Sequence, residues 1–90
     1  MRQIVEINMN TVFLLMAEFE TSQIPLSVVA EKFLNLTPSY ADRQAALGKL
    51  PFPTYRDDSQ KAPRMVHISD LAEWIDQQRN LAKKEMKQLM

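Results

Sequence analysis

The sequence predicts a small α+β fold of three helices, an N-terminal strand and a β-hairpin. Residues 4–19 are rich in Ile, Val and Phe, which favour extended structure. Residues 26–47 show helical spacing, and a proline-framed LPFP segment then leads to two short β-prone runs. Since 90 residues at 46% hydrophobic content suffice for one compact core, we expect a single domain.

The first two elements are indicated by hydrophobic spacing. We interpret residues 4–19 as a strand or a pair of strands, and the same pattern also fits a buried helix. The pattern changes around Ile24. Helix one is then predicted to end near Asn35, because apolar residues recur at three- and four-residue spacing: Leu26, Val29, Ala30 and Phe33.

Helix two has clear start and stop signals. Thr37 can accept a free backbone N–H, and Pro38 is tolerated at the first helical position. The helix is predicted to reach about Leu47 and to stop at Gly48, the only glycine. Because about two residues separate the two helices, the chain must turn sharply, as in a helix-turn-helix corner.

The second half of the chain predicts a hairpin and a last helix. Thr54 to Arg56 and Met65 to Ile68 are β-prone, and the polar DDSQKAP segment between them favours a turn, which makes the pair a wing. Ser69 or Asp70 is expected to cap the last helix, with Glu73 completing a capping box. The predicted fold is thus a small winged helix-turn-helix.

Composition argues against several classes of protein. The sequence has no cysteine, one histidine and no Gly-rich phosphate loop, so it offers no recognisable catalytic set, metal site or cofactor motif. Its longest apolar run, residues 12–17, is far shorter than the roughly 20 residues of a membrane helix. We therefore expect a cytoplasmic protein that is not an enzyme, binds no cofactor or metal and does not enter the membrane.

Charge is unevenly distributed although the formal net charge is zero. Residues 1–38 carry two cations and four anions, whereas residues 39–67 carry five cations and three anions. Because charges act mainly within a Debye length of about 8–10 Å, the local excess of cations matters more than the total. This distribution favours an anionic partner for the middle of the chain.

Several segments together resemble one family. They are MNTVFLLMAEFE from Met9, IPL before helix one, LPFP, SQKAP, and VHISDLAEWIDQQRNLAKKE. This combination is similar to the pyocin activator (PrtN) family of prophage-type regulators, and the order of elements more distantly resembles excisionase, AlpA-like and MerR-like winged helices. The resemblance implies a transcriptional activator of bacteriocin or prophage genes that binds double-stranded DNA upstream of promoters.

Candidate DNA-binding residues lie on helix two and the wing. If Ala41 and Ala45 face helix one, Arg43 points outward, where it can read a guanine, with Gln44 on the flank. An ion pair between Arg43 and Asp42 is the plainer alternative. The full set consists of residues expected to contact bases, phosphates or the minor groove: Thr37, Ser39, Tyr40, Arg43, Gln44, Lys49, Arg56, Ser59, Gln60, Lys61 and Arg64.

Three functions remain open at this point. The first is the transcriptional activator, which would also contact RNA polymerase. The second is an excisionase-like architectural factor that bends DNA for a recombinase. The third is a protein-binding module that acts through its C-terminal helix, with the wing as an ordinary loop.

The domain organisation is expected to be simple. Residues 1–8 precede the usual start of the family and are a possible extension, residues 9–80 form the DNA-binding domain, and residues 81–90 extend the last helix. Leu81, Met86, Leu89 and Met90 continue the apolar character of that helix while lysines keep its other side polar. A homodimer through the C-terminal helix is therefore a further hypothesis.

Overall fold

The computed structural model describes residues 2–59 and 61–89, with side chains from residue 11 onward. These residues form four helices and a two-stranded antiparallel sheet. The elements in chain order are α1 (Arg2–Phe19), β1 (Gln23–Pro25), α2 (Leu26–Val29), which continues into a π-helical turn (Ala30–Leu34), α3 (Pro38–Ala46), β2 (Met65–His67) and α4 (Ile68–Leu89).

The N-terminal segment is helical, so the predicted N-terminal strand is wrong. Thr11 and Leu15 are buried, and Val12 and Phe19 pack against the core from the same side of α1. This four-residue spacing matches a helix that lies along α4, which is its main contact. The intrinsic preference of these residue types for strands is outweighed by the stabilisation that comes from burying one side of the helix against a neighbouring helix.

The predicted hairpin is reduced to one bridge. Tyr55 and Met65 exchange backbone hydrogen bonds of 3.1 and 2.7 Å, but β2 pairs along its length with β1, which lies before α2. The next hydrogen-bonded positions on either side of this bridge would need the N–H groups of Pro53 and Pro63. Proline has no such donor, so the ladder stops after one pair.

The two central helices meet as predicted. α2 packs on α3, and Asn35 ends the π-helical turn in the left-handed conformation at φ 56°. α3 ends with Gly48 at φ 68°, where the Lys49 N–H donates to the Gln44 carbonyl at 2.9 Å and the Gly48 N–H to the Ala45 carbonyl at 3.0 Å. These two bonds form a Schellman motif, which satisfies the last carbonyls of the helix.

The last helix begins earlier than its predicted cap. It starts at Ile68, so Ser69 and Asp70 lie inside its first turn. The side chain of His67 takes the capping role, since its Nδ1 accepts the Ser69 N–H at 3.1 Å. The predicted cap was wrong because the backbone enters the helix directly from β2.

One apolar core joins these elements. Ile24, Val29, Val66, Ile68 and Leu71 are its largest fully buried side chains, contributed by both strands and by α2 and α4. The LPFP segment is anchored to this core by its aromatic residue, Phe52. Phe52 is buried and meets Trp74 of α4 edge-to-face, with the ring centroids 5.9 Å apart.

Within residues 2–59 and 61–89, no helix is both long and apolar enough to cross a bilayer. The 18-residue α1 and the 22-residue α4 are the longest of the described helices.

Candidate nucleic-acid interface

The first turn of α3 is capped by Thr37, one of the side chains predicted to contact DNA. The Thr37 hydroxyl accepts the Tyr40 N–H at 3.2 Å, in an extended backbone conformation that is typical of an N-cap. A hydroxyl that accepts through a lone pair still has its hydrogen to donate. Thr37 therefore shapes the helix start and keeps one donor for a partner such as a phosphate oxygen.

The outer face of α3 presents the predicted residues to solvent. Ala41 is fully buried and Ala45 packs against the core, while Ser39, Tyr40 and Arg43 are exposed. Gln44 is half-buried on the flank. The small alanines allow α2 to approach closely, so the opposite side of the helix is left open.

Arg43 contacts an aromatic ring of its own helix. Its guanidinium carbon lies 5.8 Å from the centroid of the Tyr40 ring, one turn earlier. This contact aligns two long side chains on the exposed face. The alternative pairing of Arg43 with Asp42 is not the ion pair found in the structure, because Asp42 is bound by another arginine.

Arg64 forms that ion pair. Its Nε lies 2.7 Å from Asp42 Oδ1, and its side chain is only 14% exposed, whereas that of Asp42 is 53% exposed. A predicted wing cation is thereby used to hold the chain before β2 against the middle of α3. Arg64 acts as a positioning residue in this structure, and its charge is largely balanced by Asp42.

An open groove runs between α3 and the chain around Arg64. Its lining residues come from three parts of the chain: Leu26 and Ser27 of α2, Pro38, Ser39, Asp42 and Arg43 of α3, and Pro63 and Arg64 before β2. The structure therefore brings Ser39, Arg43 and Arg64 together. Arg56 lies in a different groove, with Gln23, Asp57 and Met65 among its lining residues.

The turn before Arg64 is organised by Ser59. Its Oγ accepts the Lys61 N–H at 3.2 Å, and its carbonyl accepts the Ala62 N–H at 3.1 Å. Lys61 is exposed at this turn, and Lys49 is exposed just beyond α3. Gln60, also predicted as a contact, lies outside the described residues.

Two residues of this surface were missed at the sequence level. Ser27 follows Leu26 on α2 and faces the same groove as Ser39, and its signal was a polar residue within an apolar helical pattern. Asp42 was seen as a partner for its neighbour, yet its partner is 22 residues away. Local sequence contains no signal for such a distant pairing.

The fold and this surface define a small α+β domain that is compatible with a helix-turn-helix arrangement. Its two central helices meet at a short corner, and one face of the second helix is open. The sequence model of the pyocin activator protein PrtN family matches residues 11–82, and the chain belongs to this family. The resemblance is thus confirmed, and the family indicates a regulatory role in pyocin gene activation. Comparison with curated proteins and with solved structures gives no match.

Proposed function

We propose that the protein is a transcriptional activator that binds double-stranded DNA upstream of pyocin or prophage genes. In this proposal α3 enters the major groove and the segment from Thr54 to Arg64 lies as a wing against the adjacent backbone. An α-helix of about 10–12 Å diameter fits a major groove about 12 Å wide. The proposal assigns the chain no catalytic step and places its action in the cytoplasm.

The observation that best supports the proposal is the ion pair between Arg64 and Asp42. It holds the proposed wing beside the exposed face of α3, so that both can approach one side of a duplex. In the groove between them, Ser39 and Arg43 present a hydroxyl and a guanidinium, which are typical donors to phosphates and bases.

The proposed roles differ along the surface. Arg43 is the proposed base-reading residue, because arginine binds guanine through two hydrogen bonds. Lys61 and Lys49 are proposed to hold phosphates, as exposed lysines do without regard to sequence. In the first turn of α3, Pro38 has no N–H and the Tyr40 N–H is bound by Thr37, so the Ser39 N–H and the positive dipole end are proposed to hold a phosphate next to Thr37.

Salt dependence tests whether DNA is the partner. If about 3–5 phosphates are neutralised by each protomer, the logarithm of the affinity falls with a slope of about −3 to −4.5 against the logarithm of the salt concentration. A slope near zero, or no binding to duplexes at low salt, would contradict the proposal and favour a protein partner.

Selection of duplexes from a random pool tests the roles of the two surfaces. We expect Arg43→Ala to lose preference at defined base positions, by about 1–3 kcal/mol, and Lys61→Ala to weaken all duplexes alike. Lys32→Ala removes the same charge at an exposed residue that is bound by Glu18 of α1 and is not part of the proposed interface, and it serves as the matched control. If Arg43→Ala and Lys61→Ala lower the affinity equally for all duplexes, α3 is not the element that recognises the DNA sequence.

Transcription in a purified system tests the activator role. With RNA polymerase and a template that carries the selected site upstream of a promoter, we expect transcripts to depend on the protein. Binding without any effect on transcription, combined with strong bending of tandem sites, would instead support the excisionase-like role.

A further inference from the structure

The outward side of α1 carries an exposed apolar face. We call it the α1 outer face, and it comprises Phe13, Leu14, Met16, Ala17 and Glu20. Phe13 is 56% exposed and Leu14 is 70% exposed, although both belong to residue types that are usually buried. Both point away from the side of the helix that packs on α4 through Leu15. Adjacent large apolar side chains in this state are typical of an interaction surface.

The end of α4 carries a second exposed apolar set. We call residues 79–89 the α4 tail, and all of them are exposed. Leu81, Met86 and Leu89 are 53%, 67% and 88% exposed. The tail also contains four cations and one anion: Arg79, Lys83, Lys84, Lys87 and Glu85.

The two surfaces have opposite charge. Two anions, Glu18 and Glu20, lie at the end of the α1 outer face. Glu18 is bound by Lys32, while the Glu20 side chain is exposed. An apolar surface with an acidic edge complements an apolar surface with a basic edge.

One chain cannot bring its own two surfaces together. The Thr11 hydroxyl donates to Asp76 Oδ1 at 2.7 Å, and the strands that follow α1 and precede α4 pair with each other, so the two helices run antiparallel. The α1 outer face lies on one side of the level set by Thr11 and Asp76, and the α4 tail lies on the other. At 1.5 Å per residue, their centres are roughly 20 Å apart along the helix axes.

We propose that two copies of the chain pair by placing the α4 tail of each on the α1 outer face of the other. The exchange is reciprocal, so a single twofold axis buries both surfaces of both copies and leaves no open end. The occupant is a second copy because the chain itself carries both complementary surfaces. The α1 outer face is apolar with an acidic edge, and the α4 tail is apolar with a basic edge. The pairing uses neither α3 nor Lys61 and is independent of the proposed DNA binding.

Charge reversal tests this arrangement without DNA. The tail variant is Lys83→Glu with Lys87→Glu, and the face variant is Ala17→Lys with Glu20→Lys. At about 100 μM, sedimentation equilibrium should show a dimer for the unaltered chain and a monomer for each variant alone. An equimolar mixture of the two variants should again form a dimer, because each reversed surface then meets its complement.

The controls separate this proposal from simpler explanations. Glu31→Lys reverses an exposed charge elsewhere and should leave the dimer unchanged. Circular dichroism should show the same helix content in all variants. If the face variant is less helical, Glu20→Lys alone replaces it, since this exposed residue lies beyond the end of α1 and the change keeps the reversed charge.

Three results would overturn the proposal. A monomer for the unaltered chain at 100 μM excludes the pairing. A dimer that is lost in the tail variant and kept in the face variant shows that two α4 tails pair with each other. Two monomeric variants that fail to associate when mixed show that the surfaces do not meet.

Discussion

Arg64 Nε and Asp42 Oδ1 lie 2.7 Å apart and connect residues that are 22 positions apart in the chain. The guanidinium is mostly covered, and the carboxylate is half exposed on α3. A charge-assisted hydrogen bond of this kind is stronger and more directional than one between neutral groups. The contact therefore sets the position of the chain before β2 relative to α3.

Removal of the acidic partner is expected to destabilise the protein. Asp42→Ala leaves the covered Arg64 guanidinium without its carboxylate, and the free energy of unfolding should fall by about 1 kcal/mol, between the values for exposed and buried pairs. Urea denaturation measures this change. Asp58→Ala removes an exposed acid between Tyr55 and β2 and should change stability by less than about 0.5 kcal/mol. Equal effects of the two substitutions would show that the ion pair contributes nothing.

The N-cap of α3 is expected to contribute measurably to the stability of the protein. Thr37→Ala removes the hydroxyl that accepts the Tyr40 N–H, and we expect a loss of about 1 kcal/mol in the free energy of unfolding. Thr37→Ser keeps the hydroxyl and should lose only a small part of this. Thermal denaturation compares the three proteins, and a serine variant as unstable as the alanine variant would argue against the cap.

Gly48 is expected to tolerate substitution poorly for backbone reasons alone. Its φ is 68°, and an added Cβ would meet no atom within 4 Å. Gly48→Ala should therefore cost about 1–2 kcal/mol through the left-handed conformation and not through a clash. Gly48→Asn should cost less, because asparagine tolerates this conformation. If the Gly48→Ala variant and the unaltered chain prove equally stable in urea, the Schellman motif at the end of α3 is not retained in solution.

The contact of Phe52 with Trp74 offers a fluorescence test, since Trp74 is the only tryptophan. Phe52→Leu removes the edge-to-face ring contact. We expect the free energy of unfolding to fall by about 0.5–1.5 kcal/mol more than the lost apolar area alone would cause. Tryptophan emission should also shift to longer wavelength as water reaches the indole. Phe33→Leu alters a ring that packs on Phe19 and should leave the emission maximum unchanged. A shift of similar size in both variants would contradict the local contact.

The predictions that the structure confirms are those that depend on local signals. Thr37, Pro38 and Gly48 mark the ends of α3 where the sequence indicated, and the spacing of Leu26, Val29 and Ala30 marks the buried side of the helix before it. Capping and left-handed termini involve residues a few positions apart. Such signals are readable without knowledge of the rest of the fold.

The features that sequence reasoning missed depend on distant partners. The residues of α1 favour strands by type, yet they form a helix because α4 offers them an apolar surface. β2 has neighbours on both edges: it pairs along its length with β1 on one edge, and on the other edge Pro53 and Pro63 limit the pairing to Tyr55. The roles proposed for Arg43 and Lys61 in DNA binding remain predictions that the experiments above address.

By itself, the sequence determined the positions of α3 and its caps, the apolar spacing before it and the family to which the chain belongs. Only the tertiary structure decided that α1 is a helix, that His67 caps α4 and that Arg64 is held by Asp42. The physical reason is the range of the interactions. Capping and helical periodicity act within a few residues, whereas strand pairing, core packing and ion pairs depend on which distant segments the fold brings into contact.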